Sequence, residues 1–184
     1  MDDMVLAAMV KWPNVPACCG WLGLDTRGDW YMRDVAAQAA GAFQAACHAP
    51  LPDPAKGSRL QHAGLSAFIG RNYAVDEAGR WYFQNGPQRV FVELASTPWV
   101  WRLDTTGQVL AHTGVAAARV VECLLDEVGR LYLFTNLGLG LVHSLDVQQA
   151  AAVVEAGIWC PVEVMAAELP ARYGYVVSPA ASPP

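Results

Sequence analysis

VDEAGRWYFQNGPQRVFVEL, residues 75–94, holds two strand-like runs, two tight turns and the densest polar cluster of the chain. Asp76 opens the first turn and Gly79 closes it. An Asp side chain can bond its own backbone, and Gly supplies a positive φ at low cost. Trp81, Tyr82 and Phe83 then run in sequence, which predicts a strand with apolar contacts on both faces. Asn85-Gly86 is a strong hairpin signal. Pro87 follows it without a backbone donor, so a wider loop is expected. Val90, Val92 and Leu94 alternate with Phe91 and Glu93 at strand period.

The first turn of this stretch is written four times. Leu24-Asp25-Thr26-Arg27-Gly28-Asp29-Trp30-Tyr31, Val75-Asp76 to Trp81-Tyr82, Leu103-Asp104 to Val109-Leu110 and Leu125-Asp126 to Leu131-Tyr132 share the pattern apolar-Asp-x-x-Gly-polar-apolar-apolar. The gaps between copies are unequal, which argues against a solenoid or propeller. The copies are expected to be hairpin turns. Calcium loops would need oxygen ligands at alternate positions, and each turn supplies too few.

Composition sets the class. The chain has 184 residues, of which 54% are hydrophobic and 16% charged, so it folds and can bury one large core or two small ones. Its net charge of −5 argues against a nucleic-acid backbone as partner. Cys18, Cys19, Cys47, Cys123 and Cys160 form no C-x-x-C pair and are odd in number. That speaks against a disulfide framework or a zinc site and for a reducing cytoplasm. The acidic start Met1-Asp2-Asp3 does not suit a signal peptide. No long charge-free apolar run marks a membrane span.

Along the chain, Asp2 or Asp3 is expected to cap a helix from Met4 to Lys11 with Val5, Leu6, Met9 and Val10 on its apolar face. Asp34 heads an Ala-rich segment that Gly41 weakens as a helix. His48 to Ser58, with Pro50, Pro52 and Pro54, reads as a loop. Ser58 to Tyr73 is the clearest helical segment, with Leu65, Phe68 and Ile69 facing one way. Gly138 and Gly140 interrupt an apolar run and mark a bulge or a close approach by backbone or ligand. Asp146 is expected to cap a helix that Gly157 closes, and Tyr173 to Val177 reads as a last strand.

The order of Trp30-Tyr31, Leu65-x-x-Phe68, Tyr73-x-x-Asp76-x-x-Gly79-x-Trp81-Tyr82, Gly86-Pro87, Val90-x-Val92-Glu93 and Thr97-Pro98-Trp99-Val100 resembles small soluble proteobacterial families known only as domains of unknown function. The resemblance spans residues 20–104. It implies two small α+β and β-roll subdomains and brings no catalytic residues. The Pro50–Pro54 insert departs from it.

The candidate chemistry is sparse. No Ser lies in G-x-S-x-G and no H-E-x-x-H is present, so neither a catalytic residue nor a metal ligand is assigned and no cofactor is expected. Arg71, Asn72, Gln84, Asn85, Gln88 and Arg89 cluster around the central hairpin with Trp81, Trp99 and Trp101. Arginine forks and amides among aromatics suit a small carboxylate- or amide-bearing ligand. Arg71, Asn72, Gln84, Asn85, Arg89 and Trp101 are therefore the candidate ligand-binding residues. The plainer alternative makes Asn85 a turn residue and pairs Arg71 and Arg89 with Glu93 or Glu77. Wide aromatic strands also make a homodimer surface plausible.

The sequence thus predicts an α+β protein, mainly antiparallel β hairpins in a roll-like arrangement with three or four short helices, in two closely packed subdomains. These are residues 1–95 and 96–177, followed by a flexible tail, 178–184. The expected role is a cytoplasmic, non-enzymatic binding or interaction module. The alternative is an enzyme acting on a small polar metabolite.

Overall fold

The computed structural model describes residues 1–181. They form a mixed α+β fold of two six-stranded sheets and fall into two compact units. Unit 1 comprises Met1–Asp25, Asp29–Ser96 and the chain from Tyr175 onward; unit 2 comprises Thr26–Gly28 and Thr97–Gly174. No helix among the described residues is long and apolar enough to cross a membrane.

In unit 1, α1 (Asp3–Lys11) leads to β1 (Cys18–Leu24) and β2 (Trp30–Met32). Three helices follow, α2 (Val35–Ala40), α3 (Phe43–His48) and α4 (Ala63–Arg71), with the two-residue strand β3 (Ser58–Arg59) before α4. β4 (Tyr73–Val75), β5 (Trp81–Asn85) and β6 (Gln88–Leu94) complete the sheet, whose order is β3-β2-β1-β6-β5-β4. In unit 2, β7 (Trp99–Leu103), β8 (Val109–Ala111), β9 (Val120–Asp126), β10 (Leu131–Thr135) and β11 (Gly138–Val142) precede α5 (Val147–Glu155), β12 (Pro161–Val164) and α6 (Leu169–Tyr173). That sheet runs β12-β9-β10-β11-β7-β8.

The four Asp-x-x-Gly segments are four copies of one turn. Leu24 pairs with Trp30, Val75 with Trp81, Leu103 with Val109 and Leu125 with Leu131. In each copy the Asp amide donates to the carbonyl four residues on, at 3.0–3.1 Å. Its carboxylate accepts the amide of that same residue at 2.7–3.0 Å. The glycines take φ of 77–82°, a region open to Gly and strained for other residues. The backbone thus occupies the Asp oxygens that a calcium loop would offer.

The units repeat more than a turn. Each has a hairpin, β1–β2 or β7–β8, and an antiparallel meander, β4–β5–β6 or β9–β10–β11. In each, the last meander strand lies parallel to the first hairpin strand. The registers agree as well. Leu22 pairs with Val92 and Trp101 with Val142. Phe83 pairs with Val90 and Leu133 with Gly140. Asn85 faces Gln88 and Thr135 faces Gly138 across two-residue loops. Gly86-Pro87 is therefore itself the loop, tighter than the sequence suggested, because Gly86 takes φ of 56° and Pro87 needs no donor there.

Local departures from the sequence reading have clear causes. Only Val5 of the four expected apolar positions on α1 is buried. Asp2 stands at its N-cap without a capping side-chain bond. α4 starts later than expected, with His62 as its cap: Nδ1 accepts the Leu65 amide at 3.1 Å. Ser58 and Arg59 are drawn out of it to pair with Met32 and Tyr31 at the sheet edge. Asp146 does not cap α5, because its carboxylate is taken by Arg102 and the Leu103 amide. No strand forms at 173–177; Val176 donates to the Gly79 carbonyl and Leu94 to that of Val177. Residues 178–181 of the expected tail carry a short 3-10 turn, and 182–184 lie outside the described residues.

The proline-rich excursion is organised by Arg33, which is 4% exposed. Its guanidinium donates to the carbonyls of Ala55 at 2.8 Å, Gly41 at 2.6 Å, Ala37 at 3.3 Å and Gly20 at 3.4 Å. The planar fork suits such a fan of acceptors.

Candidate functional site

The α4 side of the unit 1 sheet carries a cavity of about 310 Å³. Strand alternation sends Leu22 of β1, Phe83 of β5 and Val90 of β6 to its floor. Leu65 and Ile69, one helical turn apart on α4, close it from above. Trp21 and Met32 stand at the rim, each about half exposed. Two polar side chains reach it, Cys18 and Asn85. Burial pushes the Cys18 thiol above its ordinary pKa, so it is a neutral wall and a poor nucleophile. Trp21 and Met32 also line a broader groove of about 510 Å³ that includes Arg33, Asp34 and Ser58.

Asn85 is thus the expected site residue that lines this cavity. The other expected residues serve elsewhere. Arg71 does not pair with Glu77 or Glu93; it holds Asp2 at 3.2 Å and lies over the Phe68 ring. That contact holds the Asp2 carboxyl below its usual range. Asn72 is fully buried: its Oδ1 accepts the Asp2 amide at 2.8 Å and its Nδ2 donates to the Phe68 carbonyl at 2.9 Å. It is a helix-end clasp for the N-terminal segment. Gln84 points to the opposite face from Asn85 and donates to the Gly86 carbonyl at 2.8 Å. Its Oε1 is buried with no hydrogen-bond partner among the described residues. Arg89 lies over the Tyr82 ring at 4.9 Å. Gln88 reaches back to the Pro16 carbonyl at 3.1 Å.

Trp101 belongs to unit 2 and is 0% exposed. Its indole Nε1 donates to the Leu133 carbonyl at 2.8 Å, and its ring lies against Gly140. A Cβ at Gly140 would run into that indole. The glycine in the apolar run therefore marks a close approach, made by a side chain of the same unit. The sequence signal was present in Gly140, but its partner lies 39 residues earlier.

The ionisable clusters are structural. Asp126 binds Arg130, Tyr132 and two turn amides. Asp25 binds Lys56 at 3.0 Å, and Lys56 also lies over Tyr31. Glu93, buried in β6, accepts the Ser178 hydroxyl at 2.5 Å and the Ala180 amide at 2.9 Å. In unit 2, Glu127, Glu163 and Glu168 line a depression of about 440 Å³, where Glu127 accepts the Ala166 amide at 2.8 Å. Among the described residues no three His, Cys, Asp or Glu side chains are placed to hold a metal ion.

Residues 1–180 match the family model DUF2944, described as "Protein of unknown function (DUF2946)". No curated protein matches. Among solved structures, the chain is similar to a DUF1285 family protein from Silicibacter pomeroyi DSS-3, at 12% identity and a TM-score of 0.49, over 83% of this chain and 85% of that one. It is also similar to a DUF1285 family protein from Shewanella baltica OS155, at 13% identity and a TM-score of 0.45, over 72% of this chain and 91% of that one.

Proposed function

We propose that this chain, which belongs to the DUF2944 family of unknown function, is a non-enzymatic binding module. Its ligand is a small, largely apolar, uncharged molecule with one hydrogen-bonding group that meets Asn85. The reading rests on the unit 1 cavity, whose apolar walls enclose about 310 Å³ beside a single amide, Asn85. Catalysis of acid–base type needs two ionisable groups converging on a reacting atom. This cavity offers one, the thiol of Cys18, held neutral by burial. Asn85 can donate to a ligand carbonyl and accept from a ligand amide. The arginine-lined polar site expected from sequence finds little support, since Arg71 is engaged by Asp2 and Arg89 by Tyr82. The reading includes a reducing cytoplasm, supported by five unpaired cysteines.

The test is an NMR titration of the full chain with hexanamide, benzamide and indole. The expected result is saturable shifts of the amides of Leu22, Phe83, Asn85 and Val90, lost in a Val90→Phe variant that fills the cavity. Absence of saturable shifts at those residues with hexanamide, benzamide and indole alike refutes the reading.

A further inference from the structure

Leu22 and Trp101 hold the same register position in the two units, as do Val90 and Gly140, and Phe83 and Leu133. In unit 2 this place is filled. The Trp101 indole lies on Gly140 and bonds the Leu133 carbonyl through its ring N–H. In unit 1 the indole is replaced by the shorter Leu22, and the corresponding space over Val90 and Phe83 is the cavity. We infer that the unit 1 cavity takes a planar, uncharged aromatic ring of about indole size that carries a hydrogen-bond donor. This rests on reading the cavity as a ligand site.

Four further observations fit the inference. The walls are those that favour a flat ring: Phe83 and Trp21 offer aromatic edges and faces, and Met32 a polarizable sulfur. Among the described residues no charged side chain lines the space, so an ionised ring would be buried without a counter-charge. The volume of 310 Å³ lies at the small end of ligand pockets, which span roughly 300–1,000 Å³. That suits a bicyclic ring with a short substituent and excludes a dinucleotide. The Asn85 side-chain carbonyl, two residues beyond Phe83 on the same face, would accept the donor that Leu133 accepts in unit 2.

The test uses the full chain with indole and hexanamide as separate probes, read by amide shifts and by contacts between probe protons and the methyls of Leu22 and Val90. A double variant, Leu22→Trp with Val90→Gly, rebuilds the unit 2 arrangement inside unit 1. Indole is expected to bind at least tenfold more tightly than hexanamide, to touch both methyl groups, and to bind at least tenfold more weakly to the double variant. Should the double variant fail to fold, the methyl contacts in the native protein decide the matter. Hexanamide binding at Asn85 without indole binding overturns the ring assignment and leaves the binding reading intact. Binding of neither probe overturns both. Indole shifts that lie away from Leu22 and Val90, or that survive in a folded double variant, overturn the ring assignment.

Discussion

Asp126→Ala tests whether the repeated turn is a structural device whose strength is set by burial. The Asp126 side chain is 0% exposed and accepts four hydrogen bonds: the amides of Val128 at 3.1 Å and Arg130 at 2.7 Å, Arg130 Nε at 2.6 Å and the Tyr132 hydroxyl at 2.8 Å. Val128 is exposed, so water replaces the carboxylate there. The Arg130 side chain is a third exposed and can turn outward. The Arg130 amide and the buried Tyr132 hydroxyl lose their acceptor inside the fold. At about 1–3 kcal/mol for each such loss, the substitution costs about 2–6 kcal/mol. Urea unfolding followed by tryptophan fluorescence should show the midpoint falling by about 1–3 M, for a slope of about 2 kcal/mol per molar. Asp104→Ala removes the same turn contacts at an exposed copy and should move the midpoint far less. Tyr132→Phe should cost less in the Asp126→Ala background than in the native chain, with a coupling of about 1 kcal/mol or more. Equal midpoints for the Asp126 and Asp104 variants, or strictly additive effects in the cycle with Tyr132, would refute the reasoning.

Two other outcomes follow from the buried charges. Arg33→Met removes the donor shared by four carbonyls and should raise limited proteolysis between Gly41 and Gly57 at least tenfold, with Arg33→Lys rescuing little because an ammonium lacks the planar fork; an unchanged cleavage rate would count against the anchor. Burial alone would raise the carboxyls of Asp76, Asp126 and Asp146, but bonds from Arg80, Arg130, Tyr132, Arg102 and nearby amides outweigh it and hold all three below the usual value. A depressed folded pKa contributes stability above the unfolded value of about 3.9 and loses it as pH falls through the folded pKa. Stability should therefore hold from pH 7 to about 5 and decline below about pH 4, with a shallower decline in Asp126→Asn; a urea midpoint that is flat through the acid range contradicts this.

What was readable in the sequence was local. An Asp and a Gly three residues apart specify their turn with backbone atoms within four residues, so all four hairpins could be placed. Asn85 stood out for a similar reason, as the first residue of an Asn-Gly turn signal. The misplaced residues depend on distant partners. Arg71 pairs with Asp2, 69 residues away, although Glu77 and Glu93 lie nearer in sequence. Trp101, expected among the ligand-binding residues, is instead received by Gly140 across a parallel strand pair. The likeness of the two units was hidden by their unequal middles. Unit 1 inserts α2, α3, β3 and α4 between its two hairpins, where unit 2 has only residues 112–119. Strand registers can agree across such inserts because pairing depends on the strands, not on the connecting length.

The grip of Glu93 on Ser178 and Ala180 has a consequence for the order of events during synthesis. The N-terminal sheet emerges first, yet the segment that satisfies its buried carboxylate is made only after residues 97–174 of unit 2. Its parallel pair also joins residues 70 positions apart, Leu22 with Val92, whereas Trp101 and Val142 are separated by 41. The longer closure costs about half a kcal/mol more. On the ribosome, unit 1 therefore gains its last contact only after unit 2 has been made, and a chain cut short before Ser178 would leave it without that latch.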